Sequence, residues 1–161
     1  MAQQVGKSAA LLAALVVVLM AWLPTRAADP KPQPIKSGIV SSAAAKTNQA
    51  NWGEMRRYFT GETSGTKNVL TAIAVVKPGK AVHRAHRHAE EEYLILMEGV
   101  GTWSLDGKES PAKKGDILYA EPWVYHGLTN MGSEPLVFAV VRFSSKGVSV
   151  PPRPDNRPDE Q

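Results

Sequence analysis

The feature that most constrains this chain is a rhythm of short apolar runs cut by turn signals. NVLTAIAVV, from Asn68 to Val76, is rich in β-branched residues and stops at the turn KPGK. EYLILMEG closes at Gly99, GTWSL leads into Asp106-Gly107, and GDILYAE stops at Pro122. YHGLTN, a turn at MGSEP and LVFAVVRF complete the series. Asp-Gly between two such runs signals a two-residue hairpin, because both residues tolerate the positive φ that this turn needs. The pattern predicts seven or eight strands at intervals of about 8 to 12 residues, the spacing of an all-β sandwich or barrel. One stretch breaks the rhythm: SSAAAKTNQANW, residues 41–52, is predicted as a single short N-terminal helix with Ser41 or Ser42 as its N-cap. No internal repeat is visible, so the expectation is one barrel and not a tandem pair.

The ends of the chain read differently. In residues 1–27, Lys7 gives a positive start, and Ala9 to Leu23 are fifteen apolar residues without a charge. Thr25 and Ala27 place small residues before a cut after Ala27, the pattern of an export signal peptide. The rival is an uncleaved anchor, although a membrane span needs about 20 apolar residues. There is no cysteine, hence neither a disulfide nor a lipid attached through a thiol. The expectation is an exported protein, periplasmic or secreted, with no stable membrane anchor. Residues 28–38 form a proline-rich linker, 39–148 the barrel domain, and 149–161 a disordered proline-rich tail. The formal net charge is +4, and Lys7 and Arg26 fall in the signal. The remaining charges are scattered, without the basic run and interleaved aromatics that mark a nucleic-acid surface.

Chemistry concentrates in HRAHRHAEEEYLILMEG, from His83 to Gly99, which holds three of the four histidines of the chain. In an extended strand His86 and His88 point to one face, with Cα atoms about 6–7 Å apart. Two imidazoles so placed can converge on one ion at nitrogen–metal distances of about 2.0–2.1 Å. Glu92 has the same parity, which gives a two-histidine, one-carboxylate face. His83 has the opposite parity. The fourth histidine, His126, lies in a later predicted strand, and the Asp106-Gly107 hairpin offers a path back to the first pair. Against this stands a plainer reading: a charged, solvated strand end and an unrelated surface histidine.

Residues 79 to 130 resemble the two motifs of the cupin superfamily, small β-barrels of jelly-roll type. The first motif runs through Gly79, His86-Arg87-His88, Glu92 and Gly99, with every spacing after His86 kept. The second falls on Gly115, His126 and Asn130. The chain departs from the pattern at three points. One extra residue separates Gly79 from His86, Glu121 stands at the motif's proline with Pro122 one place late, and Trp123 replaces the inner glycine. These positions shape turns and do not supply ligands. The resemblance implies an all-β, single cupin-type jelly-roll barrel holding one divalent transition metal on His86, His88, Glu92 and His126. Iron or manganese is favoured, and zinc, nickel or copper suit the same donors.

A metal with open positions above an apolar cavity implies a small-molecule substrate or ligand. The first functional expectation is therefore a metal-dependent oxidoreductase of the dioxygenase kind. The second is a non-catalytic protein that binds metal or a small ligand, and the third a sugar isomerase or epimerase. Tyr119, Tyr125 and Glu121 are the candidate catalytic groups, with Arg84 as a further polar group and Trp103 and Trp123 as walls. By parity with His126, Val124 and Leu128 should face inward. His83 reads as an extra residue at the mouth, Glu90 and Glu91 as solvated or salt-bridged, and Asn130 as a turn former. An uncovered sheet edge would favour a homodimer.

Overall fold

The computed structural model describes residues 34–155. The expected signal, most of the linker and the end of the tail lie outside these residues. Among the described residues there are nine strands and no helix. They are β1 (Lys46–Ala50), β2 (Gly53–Gly61), β3 (Thr66–Val76), β4 (Glu91–Glu98), β5 (Val100–Leu105), β6 (Lys108–Lys113), β7 (Ile117–Ala120), β8 (His126–Asn130) and β9 (Leu136–Ser145). Six strands form one antiparallel sheet in the order β1-β2-β3-β9-β4-β7, and three form a second in the order β6-β5-β8. The all-β expectation holds.

The short helix does not. Ser41 does cap a turn: the Ala44 amide donates to its carbonyl at 3.0 Å and to its hydroxyl at 3.3 Å, and the Ala45 amide donates to the same carbonyl at 3.0 Å. The turn ends there, and Lys46–Ala50 pairs rung for rung with β2, from Lys46↔Arg57 to Ala50↔Gly53. A lone short helix is marginal because nucleation is costly. Pairing with the edge of β2 satisfies the same backbone groups at once, so tertiary context overrides the helix propensity of the alanine run.

Alternation along the strands builds the core in layers. In the large sheet the registers align Ala74, Phe138 and Leu96 in one inward layer, and Ala72, Val140, Leu94 and Leu118 in the next. Trp103, Ala112 and Leu128 from the small sheet pack with them in one buried cluster. The layer after that changes character. Its inward positions are Leu70, Arg142, Glu92 and Ala120, two of them charged. The barrel is thus apolar at one end and polar at the other.

Two corners fix this arrangement. At Gly99, φ is +86°, and a Cβ would lie 2.9 Å from Leu136 Cα, so only glycine lets β4 leave the large sheet and enter β5. The Asp106-Gly107 hairpin forms as expected, with φ of 48° and 77°. At the tail, the Trp123 indole donates to the Pro151 carbonyl at 2.6 Å.

Candidate metal centre

The residues from Ala81 to Glu90 are not the regular strand that the parity argument assumed. They form a loop pinned at two isolated rungs, Ala81↔Thr129 and His86↔His126. At the second rung the His86 amide donates to the His126 carbonyl at 3.1 Å, and the His126 amide returns the bond at 2.9 Å. Directly opposed antiparallel residues project to the same face. Two positions on, the Trp123 amide donates to the His88 carbonyl at 2.8 Å, which ties the loop to the β7–β8 turn. Trp123 has φ +67°, so it adopts the left-handed conformation for which the motif uses glycine.

These anchors bring His86, His88 and His126 together, with one ring nitrogen of each within 4.8 Å of the others. Glu92, the second residue of β4, is buried against two of them. Its Oε2 lies 3.2 Å from His88 Nε2, and its Oε1 lies 3.3 Å from His126 Nε2. His83 is exposed, with its ring 3.8 Å from that of His86.

The hydrogen bonds decide which nitrogens carry protons. His126 Nδ1 faces the Val124 carbonyl at 2.9 Å, and His88 Nδ1 faces the Glu90 carbonyl at 2.9 Å. A carbonyl can only accept, so each Nδ1 is the donor and each Nε2 of the neutral ring keeps a bare lone pair. Those lone pairs point toward the carboxylate of Glu92, which is itself an acceptor. His126 Nε2 is buried without a hydrogen bond, as is His86 Nδ1. Acceptors that converge with nothing to donate between them are what a cation completes, and a backbone carbonyl behind each imidazole is how ligand histidines are oriented. The donor set fits a divalent transition ion.

The electrostatics agree. Burial, with the neighbouring His83, His126 and His88 rings, lowers the His86 pKa to about 3, so its imidazole is neutral and free to ligate. Burial works to raise the Glu92 pKa, but protons on His126 and His88 Nε2, standing where a cation would, outweigh this through hydrogen bonds and charge and hold it well below the usual carboxylate range. The centre therefore offers the neutral nitrogen of His86 and one charged oxygen, that of Glu92.

Beside it lies a cavity of about 860 Å³. His86, Glu92, His83 and Glu90 line it, with apolar walls from Trp52, Met55, Leu70, Phe138 and Val140. The other expected groups fall elsewhere. Tyr119 lies on the outer face of the large sheet, where it stacks on Tyr93 at 4.7 Å and donates to Glu91 at 3.1 Å. Tyr125 precedes His126 and so points away from it; it is buried under the Arg87 guanidinium, 5.1 Å from the ring centroid. Glu121 and Arg84 are exposed and off the cavity wall, Trp103 is core, and Trp123 holds the tail. Leu128 lines the cavity as expected, whereas Val124 does not. Asn130 is a turn former: its amide donates at 2.9 Å to the carbonyls of Val76 and Glu134, and its oxygen accepts from Gly132 at 2.9 Å.

Sequence reasoning passed over Arg142, Arg57, Asn68 and Trp52 on the cavity wall. A signal existed for the first. In LVFAVVRF the inward positions are Leu136, Phe138, Val140 and Arg142, a charge in phase with the core.

Comparison with known proteins follows the same lines. The profile described as "Cupin domain" matches residues 72–142. A gentisate 1,2-dioxygenase from a Streptomyces species is 31% identical over 81 residues, which cover 50% of this chain and 22% of that one. The oxalate-binding protein of Thermotoga maritima is 28% identical over 88 residues, 55% of this chain and 73% of the relative. The chain thus spans about a fifth of the dioxygenase and about three quarters of the oxalate-binding protein. Among solved structures, a Klebsiella pneumoniae protein with a double-stranded β-helix domain superposes with a TM-score of 0.55 at 21% identity, covering 70% of this chain and 95% of that one. The structural likeness shows the fold of the two-sheet barrel, and the profile match with its motif spacing shows that residues 72–142 of this chain are a cupin domain.

Proposed function

We propose that this chain is a metal-dependent oxidoreductase of the dioxygenase kind acting on a small molecule, with His86, His88, Glu92 and His126 as the ligands. The observation that carries the reading is the convergence of imidazole nitrogens and a carboxylate beside a cavity with both apolar and polar walls. A bound divalent transition ion would supply Lewis-acid or redox chemistry at that point, iron or manganese being favoured over zinc, nickel or copper. The protein's own part is to keep His86 neutral, to fix the His88 and His126 rings through the Glu90 and Val124 carbonyls, and to shield the reacting groups from water with Trp52, Leu70 and Phe138. The likeness to a gentisate 1,2-dioxygenase supports trying phenolic acids first. The test is oxygen consumption by iron-loaded protein over a panel of phenolic and thiol substrates. Uptake coupled to loss of one substrate is the expected result, and no uptake on any of them contradicts it.

A non-catalytic binding role is the second reading. It is favoured by the placement of Tyr119, Tyr125 and Glu121 away from the cavity wall, which leaves His83 as the imidazole beside the ligands to move protons. The likeness to an oxalate-binding protein points the same way. Isomerase or epimerase chemistry, which needs acid–base groups facing the cavity, loses its tyrosine candidates by the same placement. Export through residues 1–27 is part of the proposal, and N-terminal sequencing of protein recovered from the periplasm or medium tests it. Pairing of two copies has a candidate surface on the outer face of β4 and β7, where Tyr93, Ile117 and Tyr119 are exposed.

A further inference from the structure

We propose that the cavity takes a carboxylate-bearing ligand and that Arg142 is the residue that receives its carboxylate. The inference rests on the reading of this cavity as a small-molecule site and names the class of molecule.

Arg142 belongs to the layer in which the barrel turns from apolar to polar. It is paired directly with Glu92 on β4 and with Leu70 on β3, so its side chain enters on the same face as the carboxylate of the metal centre. It lines the cavity that His86 and Glu92 also line. Its Nε is buried and has no hydrogen-bond partner among the described residues. Arg142 as a whole is half-buried, but a guanidinium is always charged and a buried N–H of it left without an acceptor is costly.

The acids on the same wall do not supply that counter-charge. Glu62 pairs with Lys146 at 2.9 Å. Glu90 accepts from Asn68 at 3.0 Å, and Glu92 is held between His88 and His126. No ion pair joins Arg142 to its cross-strand neighbour Glu92, nor Arg57 to any acid, among the described residues. With Glu62 offset by Lys146, the wall sets two arginines against Glu90 and Glu92, and a divalent ion beside Glu92 tips that balance positive. The planar fork of Arg142 matches a carboxylate in two parallel hydrogen bonds. The walls of Trp52, Leu70 and Phe138 suit a ligand whose remainder is apolar or aromatic. A ligand held by Arg142 at one end would present its other end toward His86.

Calorimetric titration of the full chain with 2-hydroxybenzoate and with its neutral amide, 2-hydroxybenzamide, tests the assignment. Zinc-loaded protein is used because zinc is redox-inert, and metal-free protein is titrated in parallel. The acid should bind at least about tenfold more tightly than the amide, and Arg142→Met should weaken the acid by about ten- to a hundredfold while leaving the amide unchanged. Arg142→Lys should recover part of the loss. Equal affinity for acid and amide, no binding of the acid, or undiminished acid binding by Arg142→Met would overturn the proposal. Unchanged amide binding and metal content show that the variant is folded. A chain that takes up no metal would sink the proposed oxidoreductase, while the metal-free titration would still report on Arg142.

Discussion

His86 and His126, about forty residues apart in sequence, are opposite each other across a single rung in which each amide donates to the other's carbonyl. That rung, and not a continuous strand, holds the first histidine of the motif in place. Gly127 makes it possible, since a Cβ there would lie 3.1 Å from Ala85 Cα. Gly127→Val should push the loop off β8, at a cost of about 1–3 kcal/mol for the crowded contact. Circular dichroism should still report a β-rich fold while metal content falls. Full metal content in that variant would show that the rung does not position His86.

The pH dependence of the metal-free protein follows from His86. Its ordinary pKa of 6.5 applies to the unfolded chain, and burial with the neighbouring rings lowers it to about 3 in the fold. Below 6.5 the unfolded chain binds a proton that the folded one refuses, so stability is full above 6.5 and is lost as pH falls toward 3. Glu92, also held low in the fold, adds a loss in the same direction below its ordinary 4.5. Melting temperatures of metal-free protein should fall between pH 7 and 5, and His86→Gln should flatten that part of the curve. Parallel curves for the two proteins would contradict the assignment.

Much of the site was legible because motif ligands are set by spacing, and spacing survives a change in local conformation. His86 and His88 come together with His126, and Glu92 lies against His88 and His126, although Ala81 to Glu90 forms a pinned loop and not the strand that the parity argument assumed. Tyr119 was misplaced for a physical reason. The strand ILYA is apolar at every position, so alternation gives no phase, and only its pairing with β4 shows that Leu118 and Ala120 face inward. Tyr125, adjacent to His126, could have been excluded by parity alone. The alanines near Ser41 carry helix propensity but no record of the β2 edge beside them. Arg142 was readable as a charge in phase with the core, but its meaning depends on partners that only the fold reveals.

Trp123 supplies a test of backbone conformation. At φ +67° a non-glycine residue carries about 1 kcal/mol or more of strain, and the indole offsets it by bonding Pro151. Trp123→Gly loses the bond but relieves the strain, whereas Trp123→Ala loses the bond and keeps the strain. The glycine variant should therefore be the more stable of the two by about 1 kcal/mol, the reverse of the usual order for these residues. Denaturant unfolding measures the difference. An alanine variant at least as stable as the glycine variant would refute it.

Phe138 anchors the apolar end, buried in the layer that it shares with Ala74 and Leu96. Phe138→Ala should cost about 3–5 kcal/mol. Because Phe138 also lines the cavity, the variant should weaken binding of an aromatic ligand. A loss below about 1 kcal/mol in urea unfolding would mean that this layer is not the core.

The central claim is that three imidazoles and Glu92 hold one metal ion, and elemental analysis of the protein expressed with its full sequence tests it most directly. The account predicts about one transition-metal ion per chain, lost in His88→Ala and in His126→Ala with the barrel still folded, and retained in His83→Ala. Undiminished metal in both ligand variants, or no metal in the wild type even after reconstitution, would contradict it.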